Sequence, residues 1–101
     1  MCGRLSLAVS PETIADRFGA RPPSGLAPRY NVAPGQPLAT IRGSTGDRID
    51  SLVWGLVPSW AEEPGGGHIN ARAETVAEKP SFRDAYEHRR CLVLADGYYD
   101  W

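Results

Sequence analysis

Short strands joined by tight turns, with two short helices set among them, are what this sequence predicts, and three observations carry that expectation. Apolar residues at Leu5, Leu7 and Val9 alternate with Ser6 and Ala8, the period of a half-buried strand. Two further runs, 38–42 and 49–57, flank Gly43-Ser44-Thr45-Gly46-Asp47, which reads as a hairpin with a five-residue loop. Helix punctuation is complete around 11–18: Ser10 as N-cap, Pro11 in the first turn, Glu12 matched to the helix dipole, and Gly19 as the stop. With 101 residues, 42% of them hydrophobic and 23% charged, the chain fits one globular domain with a modest core.

The remaining elements follow in order. Ile14, Ala15 and Phe18 form the apolar stripe of the first helix. Residues 20–28 hold three prolines and a glycine and are a loop. The run from Arg29 to Gln36 has a short apolar centre closed by the turn signal Pro34-Gly35. After Pro58, Trp60 is either a stacking surface for a base or a lid on the core, and the pattern favours the lid. Residues 61–67, acidic and then glycine-rich, read as a mobile loop. In an extended segment Asn70, Arg72 and Glu74 would face one way: an amide, a guanidinium and a carboxylate able to orient a carbonyl, a phosphate and a proton. A plain solvated face would look the same. A second helix is expected over 81–88, with its aromatics in the core. Residues 91–95 read as a buried strand, Asp96-Gly97 as a hairpin turn, and Tyr98 to Trp101 as the start of the return strand. A chain that stops inside a hairpin leaves an unpaired edge, so a fragment is expected.

Charge and cysteine usage narrow the function classes. A net charge of −1 does not hold nucleic acid by bulk attraction, so any such binding must act through local placement. Lys79 is the only lysine, and arginine grips phosphate better, although a GC-rich genome would enrich arginine, alanine, glycine and proline together. Cys2 and Cys91, outside any CxxC pattern, read as two free thiols with no metal implied. No apolar run approaches a membrane span and no secretory signal is visible, so a cytoplasmic address is the expectation.

Met1-Cys2-Gly3-Arg4 carries the most specific chemistry. If Met1 is removed, Cys2 presents an α-amine beside its own thiol. Both kinds of group titrate within about two units of neutrality, so each is partly nucleophilic at pH 7. Attacking one aldehyde in turn, imine first and sulfur second, the pair closes a five-membered thiazolidine without any cofactor. The bland alternative is an ordinary residue near a chain end.

Five blocks in order then resemble one family: Met1-Cys2-Gly3-Arg4, Tyr30-Asn31-Val32-Ala33-Pro34-Gly35, Trp54-Gly55-Leu56-Val57-Pro58-Ser59-Trp60, Ile69-Asn70-Ala71-Arg72-Ala73-Glu74-Thr75, and Arg90-Cys91-Leu92 through Asp96-Gly97-Tyr98-Tyr99-Asp100-Trp101. They look like the SOS response-associated peptidase family. The resemblance implies an α+β fold, mainly antiparallel, with a strongly bent, barrel-like sheet and a few flanking helices, of which residues 1–101 are the N-terminal half of a single domain. It implies that the mature Cys2 captures abasic sites in single-stranded DNA as a thiazolidine, after autocatalytic removal of Met1. Cys2 is then the nucleophile, with Asn70 orienting it and the abasic sugar. Arg4 and Arg72 face phosphates, and Pro34 and Trp60 contact DNA, Trp60 by stacking at the break. Asp100 stands where the family usually carries glutamate, and the family's catalytic histidine belongs to the other half. Neither His68 nor His88 sits in a matching motif. The implied partner is abasic single-stranded DNA at a cytoplasmic, nucleoid-associated address, with no membrane, metal or cofactor. Two other classes stay open: a cysteine peptidase using Cys2 on an amide, and an inactive fragment that packs against another chain.

Overall fold

The computed structural model describes residues 2–22, 27–43, 46–58, 60–61 and 67–100, with the backbone alone at residue 100. Met1, Ser59, Trp101, the middle of the proline-rich loop (23–26), the tip of the 43–47 hairpin loop (44–45) and most of the acidic, glycine-rich loop (62–66) lie outside the described residues. In chain order the elements are β1 (Cys2–Leu7), α1 (Pro11–Phe18), β2 (Arg29–Val32), β3 (Pro37–Arg42), β4 (Asp50–Val53), α2 (Arg83–His88), β5 (Cys91–Val93) and β6 (Gly97–Asp100).

The strands pair in two antiparallel sheets of three, ordered β2-β1-β6 and β4-β3-β5. This is a strand-rich α+β arrangement, but among the described residues neither sheet closes on itself, so the barrel-like closure expected above is not formed. Among the described residues each sheet keeps two open edges. Bending is present locally. The ladder of β1 with β6 slips between Cys2 and Arg4, and that of β1 with β2 slips between Leu5 and Leu7. Such bulges bend a strand and re-aim the side chains beside them.

Helix α1 forms where its local signals place it. Ser10 Oγ accepts from Thr13 N at 3.2 Å, and Gly19, at φ 62, donates its N–H to Ala15 O at 2.8 Å. That left-handed conformation favours glycine. Of the predicted stripe only Ile14 is buried; Phe18 is 45% exposed. Ile14 packs with Ala20, Ile49 and Leu94, and Leu7, Ala39 and Ile41 close around them. The core therefore draws on both sheets and α1.

Several expectations are corrected. Strand β4 ends at Val53 rather than 57, because Trp54 N–H turns to Gln36 O and Gly55 takes φ 136. The segment 69–75 is not a strand. Arg72 O accepts from both Thr75 N and Val76 N, so consecutive turns carry the chain onward, and Asn70, Arg72 and Glu74 do not share a strand face. Helix α2 accordingly begins at Arg83, without a side-chain cap, and Tyr86 is exposed.

A further correction concerns Asp96-Gly97. These residues do not turn a hairpin, since β5 pairs with β3 while β6 pairs with β1. Leu94 N still bonds Ala39 O in one sheet, and two residues later Asp96 N bonds Ser6 O in the other. As an edge strand with one neighbour, β5 leaves Leu92 59% exposed instead of buried; only Leu94, just beyond it, reaches the core. The Asp96 carboxylate secures the crossing, accepting from Ser6 Oγ at 2.7 Å, Ala8 N at 2.6 Å and Val9 N at 3.2 Å.

The Ser6 hydroxyl, then the Ala8 and Val9 amides, hold the Asp96 carboxyl below the usual carboxylate range. A carboxylate depressed in the folded state stabilises above its unfolded pKa, and that contribution fades as pH falls through the folded one. Asp96→Asn should therefore melt lower than wild type at pH 7, with the gap narrowing below about pH 4. Thermal melts across that range check this. A gap independent of pH would show that the charge on Asp96 contributes nothing.

Candidate functional site

Strand β1 is the centre of its sheet, so Cys2 at its start is held by a ladder rather than lying in a loose terminus. Along β1 two steps, Cys2 to Arg4, match one step on β6, Asp100 to Tyr99, which makes Gly3 the extra residue of the bulge. The bulge sets Cys2 out of the plain alternation of the strand. Its thiol is half-buried, with Sγ 3.4 Å from Arg4 O.

Register brings two predicted site residues together: Cys2 and Asp100 are direct partners across the ladder. Arg4 is the next paired position, opposite Tyr99. Its guanidinium donates to Asn31 Oδ1 on β2 at 3.1 Å and, among the described residues, pairs with no carboxylate. Tyr99 on β6 reaches past β1 to donate its hydroxyl to Tyr30 O on β2 at 2.9 Å. Both outer strands are thus tied to each other beside the Cys2 end.

Pro34 and Asn70 are linked through Trp54. Gly35, at φ 87 in the Pro34-Gly35 turn, donates to Trp54 O at 2.9 Å, while the Trp54 indole N–H donates to Ile69 O at 3.0 Å. Gln36 stiffens the same turn, its Oε1 accepting from Ala33 N and from the Arg29 guanidinium. Leu56 and His68 exchange both backbone bonds at 2.9 Å, which fixes the approach to Asn70. Asn70 is half-buried in a cleft of about 340 Å³ that also takes in His68, Ala71, Tyr86, Arg89 and Arg90. No hydrogen bond joins Asn70 to Cys2 among the described residues.

Arg72 and Trp60 are exposed, and at 65% exposure Trp60 is not the core lid that its pattern favoured. Cys2 and Cys91 are both free thiols, and among the described residues no three His, Cys, Asp or Glu side chains gather to hold a metal. No described helix is long and apolar enough to cross a membrane. The tethers made by Trp54, Tyr99 and Asp96 were not visible in the sequence. Only the i, i+4 spacing of Tyr86 and Arg90 carried a local signal for the pair they form.

The profile of the SOS response associated peptidase family matches residues 1–101. The chain belongs to that family. Across all of its length it is 43% identical to the abasic site processing protein YoaM of Bacillus subtilis (strain 168), of which it covers 47%. It is 34% identical to YedK of Escherichia coli (strain K12), covering 48%, and 35% identical to HMCES of Mus musculus, covering 36%; both carry the same descriptive name. A solved protein from Bacteroides thetaiotaomicron superposes with a TM-score of 0.84 at 30% identity, over 99% of this chain and 48% of that one. One from Bordetella bronchiseptica, at 24% identity, shares the fold with a TM-score of 0.76, over 97% of this chain and 50% of its own. The chain thus spans about half the length of these bacterial relatives.

Proposed function

We propose that this chain is the N-terminal half of a single domain that captures abasic sites in single-stranded DNA, with Cys2 as the covalent residue after autocatalytic loss of Met1. The observation that carries the reading is Cys2 held at the start of a central strand, register-paired with Asp100 and one bulge away from Arg4. The printed names of the relatives point the same way.

The chemistry balances simply. The Cys2 α-amine adds to the ring-opened aldehyde and one water leaves as the imine forms. The thiolate then adds to the imine carbon, the nitrogen takes up the thiol proton, and the ring closes with no oxidant, reductant or leaving group beyond that water. In this reading Asn70 orients the sugar, Asp100 moves protons, Arg4 and Arg72 meet phosphates, and Pro34 and exposed Trp60 lie along the bases. An aldehyde needs little activation, whereas an amide requires a charge-stabilising hole and a proton donor. Incubation with single-stranded DNA bearing one abasic site should leave an adduct that survives denaturation. Cleavage of peptides with no trapped DNA would assign Cys2 to amide hydrolysis, and neither product would leave a packing role.

Trp54 tests the placement of Asn70. Trp54→Phe removes the indole donor to Ile69 O, a loss of about 0.5–1.5 kcal/mol, and trims a half-buried ring. Adduct formation should slow several-fold while the melting temperature falls by only a few degrees. An unchanged rate would show that Asn70 does not depend on this tether.

A further inference from the structure

Arg90 closes α2 in an unusual way. Its Nε donates to Tyr86 O at 2.6 Å, filling an open carbonyl of the last helical turn, and its guanidinium carbon lies 3.8 Å from the centroid of the Tyr86 ring. The two contacts fix the plane of the group and, among the described residues, leave both terminal amino groups without a partner. Of the arginines that share a cleft with it, Arg89 pairs with Asp84 at 2.9 Å, and Arg42 pairs with Asp50 at 3.0 Å, a carboxylate it shares with Arg48 at 3.4 Å. Among the described residues Arg90 meets no carboxylate.

An arginine side chain ordinarily loses rotamer freedom when it is immobilised by a ligand. Arg90 is already immobilised, so an anion meeting it meets a preset fork. Two parallel N–H donors on one edge match two oxygens of a phosphate. Arg90 lines the same cleft as Asn70, whose other walls include Leu56, Val76 and Phe82. Arg72, two residues after Asn70, is exposed and likewise pairs with no carboxylate among the described residues. For a chain of net charge −1, placed guanidiniums of this kind are what nucleic-acid binding requires.

We infer that Arg90 is a phosphodiester-binding residue, set by Tyr86 to hold the single-stranded DNA backbone beside Asn70. The inference rests on the proposed function for the identity of the ligand, but not on the covalent chemistry of Cys2. Its test is therefore reversible binding of an undamaged single-stranded oligonucleotide by the full chain, measured across a range of salt. Arg90→Gln should weaken binding about tenfold. It should also lower the slope of log affinity against log salt by about 0.7, the value for one phosphate contact on a single strand. Arg90→Lys keeps the charge and loses the fork, so it should keep the slope while binding more weakly. Arg17→Gln, which removes an equal charge from a different cleft, should change neither quantity.

A structural role for Arg90 would lower the melting temperature and leave the slope alone, and that result overturns the inference. Should Arg90→Gln fail to fold, the wild-type chain still decides. The oligonucleotide should shield Arg90, and not Arg17, from an arginine-specific dicarbonyl, read by peptide mass. Equal modification of Arg90 with and without DNA overturns the inference. A wild type that binds DNA while Arg90→Gln binds equally well removes Arg90 alone. A wild type that neither binds nor captures any single strand overturns the functional reading too.

Discussion

Cys2→Ser is expected to abolish the denaturation-resistant adduct with abasic single-stranded DNA while leaving reversible binding in place. Serine keeps the α-amine, so an imine still forms, but the hydroxyl is a far weaker nucleophile than a thiol near neutral pH and the oxygen ring it closes is less stable. Hydrolysis then returns the imine to free aldehyde and amine. The contacts that position β1 are mainly backbone pairings with β2 and β6, together with the bond of Arg4 to Asn31, and none needs the sulfur. The binding surface should survive intact. Denaturing electrophoresis reads the adduct, and anisotropy of a labelled strand reads the reversible complex. An undiminished adduct in the serine variant would rule out thiazolidine formation, and loss of both signals would point to a folding defect instead.

Features of the sequence that act within a few residues were readable, and features that depend on distant partners were not. Helix α1 came out at 11–18 because Ser10, Pro11 and Gly19 act on their own turn. The β3–β4 pair was legible for the same reason, its two runs lying either side of a short loop. Strand β2 was seen only as an apolar centre before a turn, since its partner is β1, more than twenty residues earlier. Asp96-Gly97 has the composition of a hairpin turn, and composition does not say whether the flanking strands share a ladder. Here the carboxylate of Asp96 bonds the end of β1, and the chain changes sheets. The polar alternation through Asn70, Arg72 and Glu74 failed as a strand signal because among the described residues no strand pairs with it and turns carry the chain onward instead.

The site shows the same division. Cys2 was identified by its chemistry at the chain start, and that argument needs no fold. That Cys2 and Asp100 face one another in register emerges only from the ladder of β1 with β6, which joins the two ends of the sequence. The Trp54 tether between the Pro34 turn and Ile69 likewise has no counterpart in sequence spacing.

The pairing of Cys2 with Asp100 makes the carboxylate at that position the second large expected effect. A group that moves a proton must come within about 2.6–3.2 Å of it, and losing the contact costs on the order of 10²–10⁴ in rate. Backbone register puts Asp100 opposite Cys2, so the reach of its side chain decides whether it serves the Cys2 amine or the sugar oxygen. Aspartate is one methylene shorter than the glutamate common in the family. Asp100→Glu is therefore expected to speed adduct formation, and Asp100→Asn, which has no proton to exchange in this range, to slow it by about 10²–10⁴. The competing account gives Asp100 a structural role, bonding backbone groups near the end of β6. It predicts that Asp100→Asn lowers the melting temperature with no specific loss of rate. Single-turnover rates and melting curves on both variants separate the two accounts. Equal rates in wild type, Asp100→Glu and Asp100→Asn would remove Asp100 from the mechanism and leave proton movement to the Cys2 amine and solvent.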